Sequence, residues 1–114
     1  MKHSALEMTL LLDYYGELLT EKQKTCFDLY YNQDLSLGEI AEEAGISRQG
    51  VHDSLARAEA LLLDFEQKLG CLARENRQQQ ALQTICRAAE DLMQQPQARE
   101  LAKTILNAAH DMKE

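Results

Sequence analysis

The chain has 114 residues, 45% hydrophobic and 27% charged, so it can bury a core and is not compositionally disordered. Six aromatic residues, one proline and an abundance of Leu, Ala, Glu and Gln point to an all-α fold. The net charge of −7 argues against a general polyanion binder, the longest apolar run (Ala60–Leu63) is too short to cross a bilayer, and no signal peptide is evident in Met1–Leu12. Three cysteines without paired metal spacing fit a reducing cytoplasm rather than a disulfide scaffold.

The first helix is expected over about residues 5–18, with Met8, Leu12, Tyr15 and Leu19 on its inner face. Thr20 reads as an N-cap and Gln23 completes a capping box, starting a second helix through Tyr31. That helix should bury Cys26, Phe27, Leu29, Tyr30 and Tyr31 and end at Asn32-Gln33-Asp34. Ser36 with Glu39 caps a third, turning Ile40, Ala41 and Ala44 inward, and Gly45 supplies a left-handed turn.

Ser47 caps the fourth helix, where Val51, Leu55, Ala58, Leu62, Phe65, Leu69 and Leu72 recur at 4-3 spacing. This seam is longer than a recognition helix needs, so the helix is expected to run on past the module as an arm. Gly70 marks where it would bend or break. Two further stripes follow, Leu82, Ile85, Ala89, Leu92 and Met93, then Leu101, Ile105, Ala108 and Met112, with Pro96 between them.

The chain is thus expected to form a helix-turn-helix module over residues 1–70 and a C-terminal helical extension over 71–114. Charge divides the same way. Residues 1–70 hold six basic and thirteen acidic side chains, whereas residues 71–114 hold six of each.

The stretch Leu37–Val51 carries the strongest motif. Ala41 is small where two helices would cross, Gly45 makes the turn, and Ile40, Ile46, Val51 and Leu55 form the wedge between the helices. Ser47, Arg48, Gln49, His52 and Asp53 then fall on the outer face, and Arg57 follows. Arg and Gln are suited to bidentate contacts with guanine and adenine edges, and the helix N-terminus is suited to a phosphate. Across residues 47–58, Arg48 and Arg57 stand against Asp53, a weakly positive local balance.

No Gly-rich phosphate loop, paired metal-ligand spacing or Ser-His-Asp set is present, and His3, His52 and His110 are scattered. No enzyme activity, cofactor or metal is expected, and Cys26 reads as a packing thiol.

Leu12-Asp13-Tyr14-Tyr15, Leu18–Gln23, Leu29-Tyr30-Tyr31, Leu35–Ala41, Ser47-Arg48-Gln49, Val51-His52-Asp53 and Arg57-Ala58-Glu59 together resemble the YlxM-type proteins of Gram-positive bacteria, a family described as DNA-binding. The likeness covers about residues 8–70. It departs at Gly50, where the family leads one to expect Ala, and in a segment after Gly70 that is longer than in typical members. The helix-turn-helix also resembles region four of bacterial sigma factors, which implies major-groove binding through Ser47–Arg57. The family resemblance further implies a link to the signal recognition particle, whose genes commonly neighbour those of the family.

Two functions therefore stand side by side. One is a cytoplasmic DNA-binding regulator with contacts at Ser47, Arg48, Gln49, His52, Asp53 and Arg57. The other is a protein-interaction adaptor or regulator of the signal recognition particle GTPase that does not bind DNA. The long seam also calls for a partner surface, either a folded-back C-terminal hairpin or a second chain, and a homodimer is expected.

Overall fold

A computed structural model describes residues 4–113, so His3 lies outside it. Six α-helices account for most of the chain, and no strand occurs among the described residues. They are α1 (Ala5–Tyr15), α2 (Glu21–Tyr31), α3 (Leu37–Ala44), α4 (Arg48–Leu69), α5 (Cys71–Leu92) and α6 (Arg99–Met112). None of them is long and apolar enough to cross a membrane. The chain divides into two compact units, one ending at Leu72 and the other beginning at Ala73.

In the first unit, α4 packs against α1, α2 and α3. The core is built from Met8, Leu11, Tyr15 and Leu19, then Cys26, Phe27 and Leu29, then Ile40, and the row Val51, Leu55, Ala58 and Leu62. The i, i+4, i+7, i+11 spacing of that last row keeps one stripe of α4 against all three neighbouring helices.

The local signals act where the sequence places them. Thr20 Oγ1 accepts from the Gln23 N–H and Gln23 Oε1 accepts from the Thr20 N–H, at 3.2 and 3.0 Å. Ser36 and Glu39 repeat the box at 3.1 and 3.0 Å. Gly45 takes φ +70° and Gly70 φ +66°, each ending a helix in the left-handed region where a Cβ is penalised.

Several expectations about the first unit are corrected. The first α-helix stops at Tyr15, and Gly16–Leu18 form one tighter 3-10 turn, because Leu19 must already be extended to lead into the Thr20 cap. Its innermost leucine is Leu11 rather than Leu12, which is only partly buried. Ala44 is exposed, since the short α3 turns Ile40 rather than its last residue toward the core. The fourth helix does not run on as an arm: Gly70 donates to the Glu66 carbonyl at 2.8 Å, the chain turns, and α5 starts afresh at Cys71. The seam on α4 is accordingly module core through Leu62, and Leu69 at its end is 52% exposed.

That restart is held by side chains. The Tyr15 hydroxyl donates to Glu66 Oε1 at 2.7 Å and accepts from the Cys71 N–H at 3.1 Å, while the Leu72 N–H donates to Glu66 Oε1 at 3.0 Å. Two first-turn N–H groups of α5, which have no acceptor within the helix, are satisfied this way. Burial, and then hydrogen bonding at its hydroxyl, push the Tyr15 phenol well above its ordinary range. Tyr31 donates to Glu59 in the same unit and is raised for the same reasons.

In the second unit, α5 and α6 form a hairpin around the turn at Pro96. Its small core is Leu82, Cys86 and Ala109, with Leu106 packed against it; Ala89 and Ala102 are also buried. The second predicted stripe is therefore not the inner one. Leu101 and Met112 are 71% and 67% exposed, and the alanine-rich row of α6 faces inward instead.

Candidate nucleic-acid interface

Each residue of the candidate face owes its position to the turn before α4. Gly45 and Ile46 both donate to the Ala41 carbonyl, at 3.0 and 3.2 Å, closing α3 and redirecting the chain. Ser47, extended at ψ 157°, caps α4 by accepting from the Gly50 N–H at 2.9 Å. A Cβ on residue 50 would approach that same Ser47 oxygen to 3.2 Å, so glycine leaves the cap room. The N–H groups of Arg48 and Gln49 have no acceptor within the helix and point out of its first turn.

Ser47, Arg48, Gln49, His52, Asp53 and Arg57 are all exposed: Ser47 and Arg48 at the N-terminal end of α4, and Gln49, Asp53 and Arg57, with His52 flanking them, on the side away from Val51, Leu55, Ala58 and Leu62. They do not act as equals. The Gln49 side-chain amide donates to Asp53 Oδ1 at 3.0 Å, one helical turn on, and His52 Nδ1 lies 3.7 Å from the same oxygen. Asp53 thus organises the middle of the face. The Gln49 amide bound to Asp53 keeps its second N–H and its Oε1 for an adenine edge, and an aspartate can itself accept from a cytosine amino group.

Arg57 stands at the other border, beside residues the sequence did not single out. A cleft of about 350 Å³ is lined by Thr20, Lys22 and Gln23 at the start of α2 and by Gly50, Asp53, Ser54 and Arg57 of α4. It unites two cations, Lys22 and Arg57, with the N-terminal end of a helix, an arrangement suited to an anion such as a phosphate. Only the fold brings Lys22 and Arg57 together, so no local pattern reveals it. Beside it, the Ser54 hydroxyl is buried without a hydrogen-bond partner.

Acidic side chains are near but partly occupied. Glu39 is bound into the Ser36 cap, whose backbone N–H holds its carboxyl below the usual carboxylate range. Glu17 is paired with Lys24 at 2.9 Å and is lowered by that partner. Glu42 and Glu43 are exposed on α3. Among the described residues, no group of three or more His, Cys, Asp or Glu is placed to hold a metal ion.

Residues 2–105 match the profile of the UPF0122 family, described as "Putative helix-turn-helix protein, YlxM / p13 like". A UPF0122 protein of Thermoanaerobacter sp. (strain X514) is 44% identical over 114 residues, covering 100% of this chain and 97% of that protein. One from Halalkalibacterium halodurans is 46% identical over 90 residues, covering 79% and 83% of the two chains. The likeness is thus not confined to residues 8–70. It runs through α5 into α6, and the Thermoanaerobacter relative is matched along nearly its full length, so the segment after Gly70 is not an unusual addition. The chain belongs to the UPF0122 family of helix-turn-helix proteins of the YlxM/p13 type.

Proposed function

We propose that this protein is a cytoplasmic DNA-binding regulator. Residues 1–70 serve as its reading head, and Ser47, Arg48, Gln49, His52, Asp53 and Arg57 are the contacts. The observation that carries the reading is the face of α4. Six polar side chains are exposed at the cap and along the outer side of a helix whose inner row is fully buried, so packing fixes the helix while leaving their tips free to meet base edges. Lys22 and Arg57, beside the cleft at one edge, are suited to a backbone phosphate. The overall charge of −7 limits affinity, but screening over about 8 Å at physiological salt makes the local face count for more than the total. Modest, salt-sensitive binding is the expected result. The double variant Arg48→Ala/Gln49→Ala should lose binding to genomic fragments at low salt. Unchanged binding would refute base readout by this helix.

The second reading is an adaptor of the signal recognition particle. It is favoured by the charge excess of residues 1–70 and by the exposed Glu42 and Glu43 of α3, which suit a basic protein surface better than a nucleic acid. Purified protein that neither binds the particle nor changes its GTP turnover would remove this reading.

A further inference from the structure

Ser54 lies on α4 only 7% exposed, and its hydroxyl has no hydrogen-bond partner. It does not bond back to the Gly50 carbonyl one turn earlier, as helical serines commonly do. A buried hydroxyl left open costs stability, and a bound group that accepts from it recovers that cost. Ser54 lines the cleft of about 350 Å³ between the start of α2 and α4, together with the cations Lys22 and Arg57.

We propose that this cleft binds the terminal phosphate of a small phosphate monoester. Three kinds of donor line it. Lys22 supplies a compact point charge and Arg57 a planar fork of N–H groups. The start of α2 supplies the positive end of a helix: the Thr20 side chain caps only the Gln23 N–H, so the Glu21 and Lys22 N–H groups have no acceptor within the helix. Ser54 supplies the third, a neutral hydroxyl set in the wall.

A terminal phosphate carries three acceptor oxygens and close to two negative charges, which suits two cations and a separate hydroxyl donor. A backbone phosphodiester carries a single charge and two free oxygens, and leaves one of these donors unused. The volume is that of a small-molecule site and leaves room for the group that bears the phosphate. Asp53 also lines the cleft. Its Oδ1 already accepts from the Gln49 amide at 3.0 Å, and a carboxylate there suits a hydroxyl on the bearing group. Glu21, the acid in the first turn of α2, does not line the cleft. The two cations are those that the DNA-binding reading gives to a backbone phosphate, so the monoester and DNA compete for them. That competition rests on the DNA-binding reading, whereas the site does not.

The test uses the full chain without nucleic acid, in chloride buffer of fixed ionic strength, with amide shifts followed by nuclear magnetic resonance. It is titrated with glycerol 3-phosphate and, separately, with dimethyl phosphate as the diester. Glycerol 3-phosphate should shift the Glu21, Lys22 and Ser54 amides saturably, and dimethyl phosphate should bind about tenfold more weakly or worse. Ser54→Ala should keep the rest of the wild-type spectrum, because an unpartnered hydroxyl has no bond to lose, and should weaken monoester binding about tenfold. Arg57→Ala, at an exposed position, should weaken it at least as much. No saturable shift with the monoester, equal binding of the diester, or wild-type affinity in Ser54→Ala would each overturn the proposal. A chain that binds the monoester but no DNA keeps the site and loses only the DNA-binding reading.

Discussion

The hydroxyl of Tyr15 gives the sharpest test of how the first unit is held together. Tyr15→Phe keeps the ring, which is 3% exposed and packs near Phe65, but deletes two hydrogen bonds. One is charge-assisted, to Glu66 at 2.7 Å, and the other is accepted from the Cys71 N–H at 3.1 Å. Bonds of the first kind contribute about 1.5–3 kcal/mol and of the second about 0.5–1.5 kcal/mol, while Glu66 Oε1 keeps its bond from the Leu72 N–H. The expected loss is therefore about 2–4 kcal/mol. All four tyrosines lie in the first unit, so urea unfolding followed by tyrosine fluorescence reports that unit alone. A double-mutant cycle with Glu66→Gln should return coupling of about 1–2 kcal/mol. Because burial, and then hydrogen bonding, raise the folded phenol, its contribution is complete below about pH 10 and falls as pH rises further, by up to about 1.4 kcal/mol per unit. The Phe variant should lose the Tyr15 part of that alkaline slope and keep the part due to Tyr31, which is raised likewise. A change below about 0.5 kcal/mol, with the slope intact, would refute the role assigned to Tyr15.

Other substitutions probe the turn, the buried orphan and the candidate face. Gly45→Ala meets no atom within 4 Å but must hold φ +70°, so it should cost about 1–2 kcal/mol in urea unfolding through backbone strain alone; an unchanged midpoint would contradict this. Ser54→Ala removes a buried hydroxyl without a partner and should be neutral or stabilising by up to about 1 kcal/mol, whereas a clear loss of stability would mean the hydroxyl is satisfied in solution. If Arg57 and Lys22 each neutralise one phosphate, the logarithm of DNA affinity should fall with the logarithm of salt at a slope near −1.8 per reading head. Lys22→Ala should reduce that slope by about 0.9 without altering sequence preference, and a variant with the wild-type slope would remove Lys22 from the interface.

What could be read in advance followed from distance along the chain. The capping boxes at Thr20 and Ser36, the turn at Gly45 and the row Val51–Leu62 involve residues three to eleven apart, and helix geometry alone relates them. The outward direction of Arg48, Gln49, His52 and Asp53 comes with that row, because a helix that buries one stripe exposes the opposite one. Helix geometry alone does not place Leu11 rather than Leu12 in the core. Three successive leucines offer alternative inner faces, and only docking on α4 decides between them. Lys22 beside Arg57, and Tyr15 joined to Glu66 and Cys71, likewise bring together residues more than thirty positions apart. No spacing rule encodes them.

The hairpin departs from the expected stripe for a different physical reason. Periodicity favours the bulkiest stripe as the buried one, and on α6 that is Leu101, Ile105, Ala108 and Met112. Two helices that approach closely need small side chains at the crossing, and Ala102 and Ala109 of α6 meet that need alongside Cys86 and Ala89 of α5. Closing the hairpin through its alanines turns the larger aliphatic residues outward. Exposed singly, each would be ordinary; here they gather on one face of the hairpin. The same α6 sequence thus makes its internal contact through its small residues and turns its large ones to the surface.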